Sequence, residues 1–140
     1  MSTLKDKIVI ASSNKGKIKE FQSYFDSFGL ILIPQKEMGV SDIEETGKTY
    51  VENSILKARH ASKVTGLPAI ADDSGLSVKY LDGQPGIYSA RFSGPGSDDK
   101  KNRDLLLKKL KGVPFEKRHA SYHAVITVSY THLTLPTNSG

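Results

Sequence analysis

At 140 residues the chain is the length of one ordinary domain, long enough to bury a core and too short for two independent ones. Its 37% hydrophobic and 25% charged content is that of a soluble protein; no apolar run reaches the roughly 20 residues of a membrane-crossing helix, which excludes a membrane role, and Met1–Lys7 has no secretory leader pattern. With no cysteine, disulfides and thiolate metal sites are excluded and a cytoplasmic location is expected, while the formal charge of +5 is local: between Lys100 and Arg118 eight basic side chains stand against Asp104 and Glu116.

Ile8 to Ala11 reads as a short strand entered from a polar tail. It ends at Ser12-Ser13-Asn14, residue types that favour turns and helix N-caps. A helix is predicted from Lys15 to Phe28, because Ile18, Phe21, Phe25 and Phe28 recur at spacings of three and four and share one face; Gly29 supplies the stop. Leu30 to Ile33 is a second strand, closed by Pro34, and the polar stretch to Thr49 that contains Glu44-Glu45 reads as loop.

A second helix is predicted over Tyr50 to Thr65, with Val51, Ile55, Ala58 and Ala61 or Ser62 along its inner side and Gly66 and Pro68 beyond its end. Ala69 to Ala71 reads as a buried strand that ends in Asp72-Asp73-Ser74-Gly75, and Leu76 to Leu81 as another. The Gly- and Pro-rich stretch Asp82 to Ser97 is a long ordered loop, of the kind that is often functional. Asp98 or Asp99 caps a third helix to about Lys111, with Leu106, Leu107 and Leu110 beneath its basic face, and His119 to Tyr130 alternates like a strand. Strands alternating with helices predict an α/β fold: a mixed, partly parallel sheet flanked by helices. Residues 1–130 are taken as the domain, and 131–140, uncharged and without a core pattern, as a non-native or disordered tail.

Three constellations carry chemistry. Ser12, Ser13, Asn14, Lys15, Gly16 and Lys17 lie where a strand hands over to a helix, so free backbone N–H groups, the positive end of the helix dipole and the Lys17 cation face one place. The pattern is not a GxxxxGK[ST] phosphate loop, and Ser or Asn before a helix is often only a cap. Asp72-Asp73-Ser74-Gly75 reads either as a polar turn whose Asp side chains bond their own backbone, or as a carboxylate pair that a separated acid such as Glu45 helps to make into a magnesium site. In the third, Gly83 to Gly94, Arg91 stands between aromatic residues and can meet a phosphate or pair with a structural carboxylate. His60, His119, His123 and His132 show no metal-ligand spacing.

In this order the motifs ASSNKGKIKE, EETGKTYVENSILKARHA and LPAIADDSGLSVKYLDGQPGIYSARFSG resemble the inosine triphosphate pyrophosphatase family, over roughly Ile8 to Val128. The resemblance implies Mg²⁺-assisted hydrolysis of non-standard purine nucleoside triphosphates (ITP, dITP, XTP) between the α- and β-phosphates, giving the monophosphate and pyrophosphate. It further implies that Ser12–Lys17 cradle the triphosphate and that Ser74 contacts substrate. Glu45 and Asp73 would hold the metal, with Asp72 and Glu20 as further candidates; Asp73 would be the general base, and Glu20 would orient Lys17 or the metal's waters. A homodimer follows from the same likeness, with a small-molecule partner rather than nucleic acid. Family members continue past the strand near Val128 with a GFGYDPIF-like loop and a later Lys and Ser-His-Arg, so the resemblance implies a fold incomplete relative to the family, with the base pocket unfinished. The competing expectations are a catalytically weak nucleotide- or nucleic-acid-binding fragment using the basic helix, and a related house-cleaning pyrophosphatase of other base specificity.

Overall fold

The computed structural model describes residues 7–130. Seven principal elements follow in chain order: β1 (Lys7–Ile10), α1 (Lys15–Asp26), β2 (Ile31–Pro34), α2 (Tyr50–Thr65), β3 (Ala69–Val78), α3 (Asp99–Lys109) and β4 (Ala120–Ser129). The strands form one sheet in the order β2-β1-β3-β4. β1 runs parallel to both β2 and β3, as expected for strands joined through crossover helices. At the other edge Lys79, just past β3, donates its N–H to the carbonyl of His119, just before β4; β4 therefore runs back antiparallel and the sheet is mixed. The α/β expectation holds.

The chain divides into two compact units, one made of the residues up to Gly47, Val51–Asp72 and the segment from Ile126, the other of Lys48–Tyr50 and Asp73–Val125. In the first unit, side-chain alternation along β1 and β3 sends residues to two faces. Val9, Ala11, Ala69 and Ala71 pack with Ala58 and Ala61 of α2, Val40 and Leu67. Ile10, Leu32 and Ile70 pack with Ile8 and with Ile18, Phe21 and Phe25 of α1. The helices thus cover opposite faces of the parallel strands, and alanines on one face let α2 lie close to the sheet.

The inner side of α2 differs from the predicted stripe. Asn53, Ser54, Ala58, Ala61 and Ser62 are buried, whereas Val51 is half exposed. The hydroxyls are satisfied: Ser54 Oγ is 2.8 Å from Thr127 Oγ1, and Ser62 Oγ donates to the Leu67 carbonyl at 2.8 Å. A buried polar group is tolerated when its hydrogen bond is made, so periodicity of apolar residues alone misplaces this face.

A second correction concerns Asp72-Asp73-Ser74-Gly75. The segment is not a turn, and Leu76–Leu81 is not a separate strand; β3 runs unbroken for ten residues from Ala69 to Val78. Gly75 lies inside it because a Cβ there would collide with the Gly86 carbonyl oxygen and stand 2.7 Å from Tyr50 Oη.

The second unit has a core of Val78, Leu110 and Val113, with Leu76, Leu81 and Leu106 against it. Leu107, expected in the stripe of α3, is exposed. The stretch predicted as loop after Asp82 contains a helical turn of 3-10 type, Gly86–Arg91. Asp98 caps α3 by accepting from Lys101 N at 2.8 Å, and α3 ends at Lys109. Several of its cations are engaged locally: Lys100 pairs with Asp104 at 2.9 Å, Lys109 lies over the Phe92 ring, and Arg118 donates to the carbonyls of Leu110 and Val113. The predicted 131–140 tail lies outside the described residues.

Candidate active site

Within the first unit the N-terminus of α1 opens where β1 ends. Asn14 is the N-cap: its Oδ1 accepts from Lys17 N at 3.0 Å, and its own N–H donates to Ser12 Oγ at 3.1 Å. Ser13 Oγ lies 2.7 Å from both oxygens of Asp42. The cap reading and the anion-site reading are therefore compatible, because the side chains shape a turn whose helix still presents its positive dipole end.

Lys17 Nζ forms an ion pair with Asp72 Oδ2 at 2.9 Å, which brings the first and second sequence motifs together. Asp72 follows the last β3 residue registered with β1, Ile70, by two positions. It thus stands at the carboxyl edge of the parallel strands, the place where open α/β sheets take ligands. Glu20 lies on the exposed side of α1 and lines an open hollow with Gly16, Lys19, Ser23 and Tyr24.

Glu45 sits in the loop before α2, where Lys57 Nζ approaches its Oε2 to 3.1 Å. The same loop is tied at Gly47, whose N–H donates to Asn53 Oδ1 at 2.7 Å. Only glycine fits, since a Cβ at Gly47 would stand 2.6 Å from that oxygen. Asn53 and Lys57 were not singled out from the sequence. Their signal was present all the same: two polar residues four apart on the inner side of an otherwise amphipathic helix.

In the second unit Asp73 is 6% exposed, and its Oδ2 is fully buried. Ser74 Oγ accepts from Tyr122 Oη at 2.9 Å, and the Tyr50 ring stacks on His123 with centroids 5.7 Å apart. Ser89 Oγ accepts from Leu76 N and donates to the Gly86 carbonyl, holding the Gly86–Arg91 turn against β3. Arg91, at the end of that turn, has its guanidinium 5.1 Å from the Tyr88 ring centre. Glu45 and Asp73 belong to different units.

The donors present suit a hard divalent cation. Asp72 and Asp73 are both buried carboxylates; as successive residues of β3 their side chains leave opposite faces of the strand, and Asp72 is paired with Lys17. Among the described residues no group of three or more His, Cys, Asp or Glu side chains is gathered around one point.

The model of the Ham1 family matches residues 8–137. The chain belongs to the Ham1 family. This agrees with the family read from the three motifs. Among its relatives, the dITP/XTP pyrophosphatase of Escherichia coli O157:H7 is 55% identical over 131 residues, a match covering 94% of this chain and 66% of that protein. The Ham1 fold recurs in solved structures: a HAM1 protein from Coxiella burnetii is similar with a TM-score of 0.77 at 46% identity, covering 87% of this chain and 62% of that one. The Staphylococcus aureus Ham1 protein gives 0.74 at 44% identity, with 89% and 64% covered. The chain thus spans about two thirds of the length of the curated relative.

Proposed function

We propose that this chain forms the triphosphate- and metal-holding part of a pyrophosphatase that hydrolyses non-standard purine nucleoside triphosphates, ITP, dITP and XTP, to the monophosphate and pyrophosphate. The observation that carries the reading is the Lys17–Asp72 ion pair, which sets the opening of α1 beside the carboxyl end of the parallel strands. The likeness to the dITP/XTP pyrophosphatase of Escherichia coli O157:H7, 55% identical, supports the substrate class.

In this reading Ser12 to Lys17 receive the triphosphate at the N-terminus of α1, with Lys17 supplying a point charge that Asp72 holds in position. Glu45 and Asp73 would hold Mg²⁺, with Asp72 and Glu20 as further candidates, and the chemistry supplied there would be neutralisation of phosphate-oxygen charge. Asp73 accepts a proton from the attacking water as the water oxygen bonds to the α-phosphorus and the bond to the bridging oxygen breaks, releasing pyrophosphate. Ser74 and Arg91 contact substrate. The assembly is a homodimer in the cytoplasm. No helix among the described residues is long and apolar enough to cross a membrane.

The test is direct. Purified protein incubated with ITP and Mg²⁺ should release pyrophosphate and IMP, and chelation by EDTA should abolish release. Production of orthophosphate and IDP instead would overturn the reading, as would turnover that survives Asp73→Asn unchanged.

A further inference from the structure

The loop that carries Glu45 is fixed at its far end by Gly47 and Asn53, as described above, and near its start by Val40, which is buried in the core beneath α2. Between these anchors stands Asp42, an exposed carboxylate that the pyrophosphatase reading leaves without a role. Its Oδ1 accepts from Gln35 Nε2 at 2.7 Å. Gln35 is itself only 4% exposed, the first residue after β2, and its carbonyl also accepts the Val40 N–H at 3.0 Å. The remaining donor is Ser13: its hydroxyl oxygen is 2.7 Å from Oδ1 and 2.7 Å from Oδ2. A serine hydroxyl has one proton, and here it is directed at a carboxylate, so that proton is not available to a phosphate oxygen. Charge-assisted bonds of this kind are among the stronger neutral-donor contacts.

We infer that Asp42 is a positioning residue: through Ser13 it clamps the phosphate-receiving turn at the start of α1 to the loop that presents Glu45, with buried Gln35 as the fixed post. Ser13 then serves the triphosphate through its backbone, and its side chain serves the clamp. The consequence is preorganisation. Two loops that would otherwise be ordered by the ligand are already held in register, which lowers the cost of binding without touching the reacting atoms. All three side chains lie within the first unit. The functional half of this inference rests on the proposed pyrophosphatase activity; the clamp itself does not.

The experiment compares the full chain with Asp42→Ala, Asp42→Asn, Ser13→Ala and the double variant Asp42→Ala/Ser13→Ala. In ligand-free protein, hydrogen exchange at Asn14–Lys17 and at Glu44–Gly47 should accelerate by about tenfold in Asp42→Ala, in both segments together, while Asp42→Asn, which keeps an acceptor oxygen, stays near the parent. With Mg²⁺ and ITP, KM should rise by about tenfold with kcat changed less than about threefold, and the double variant should be no worse than either single one. Unchanged exchange in Asp42→Ala overturns the clamp, as does a double variant whose effects multiply or an Asp42→Asn as impaired as Asp42→Ala. If the parent neither binds nor hydrolyses ITP, the pyrophosphatase reading falls while the exchange data still decide the clamp.

Discussion

The first unit is held by a sheet covered on two faces, the second by a small core and a set of tight turns. In the first, β1, β2 and the start of β3 are parallel, and aliphatic residues on their two faces meet α1 and α2. In the second, three buried residues, Val78, Leu110 and Val113, form the centre, and hydrogen bonds from Ser89, Asn102 and Arg118 secure the connections. The proposed site residues divide between the two: the turn at the start of α1, Lys17, Asp72 and Glu45 belong to the sheet-supported unit, and Asp73, Ser74 and Arg91 to the other.

The largest effect expected from this division is on catalysis. Asp73→Asn should lower pyrophosphate release by roughly 10²–10⁴-fold, the range for loss of a general base, while the melting temperature stays close to that of the parent. A large fall in melting temperature instead would make Asp73 a structural residue of its unit and break the contrast.

Packing comes next. Ala58→Leu in the first unit forces bulk between α2 and β1/β3, where Ala58 is wholly buried, and should cost about 1–3 kcal/mol or more in urea unfolding. Leu110→Ala removes a third of the second unit's buried centre and should cost about 2–5 kcal/mol. The distinguishing measurement is hydrogen exchange: Leu110→Ala should loosen Asp73–Val125 while amides of β1 and β2 keep their protection. Uniform loosening would show that the two units unfold as one.

Lys17→Met should weaken binding of inorganic tripolyphosphate about tenfold or more, since it removes the cation and leaves Asp72 buried without that partner. The loss should be visible by calorimetry.

The smallest effect is expected at α3, where the Lys100–Asp104 pair is fully exposed. The Lys100 ammonium lowers the Asp104 pKa below its usual value, and Asp104 raises that of Lys100. The depressed carboxylate therefore contributes above its unfolded pKa, with that contribution lost as pH falls through the lower folded value. The raised ammonium contributes below its unfolded pKa, with loss as pH rises through the higher folded value. Because solvent and salt screen such pairs, Asp104→Asn should move the neutral-pH melting temperature by no measurable amount in 0.5 M salt.

Much of this protein was legible residue by residue. Apolar spacing located α1, α2 and α3 to within a few residues, and the caps were narrowed to Ser12-Ser13-Asn14 and to Asp98 or Asp99, from which the structure selects Asn14 and Asp98, because helix period and capping depend on neighbours within one turn. Extended motifs gave the family, since three separated segments in fixed order carry far more information than spacing does. What sequence could not supply were contacts between distant segments. Glycine, serine and two aspartates together favour a turn locally, yet they lie inside β3, where Gly75 leaves space for the Gly86 turn. The polar inner face of α2 is likewise a tertiary fact, made tolerable by Thr127 and Leu67 as hydrogen-bond partners.

The sequence by itself determined where α1, α2 and α3 and the first two strands lie and which family the chain joins, since these depend on local pattern or on shared motifs. Only the tertiary structure decided that Lys17 meets Asp72, that Lys57 meets Glu45 and that Ser13 gives its proton to Asp42. The physical reason is that an ion pair or hydrogen bond is fixed by distance in space, and no local propensity encodes the distance between residues tens of positions apart.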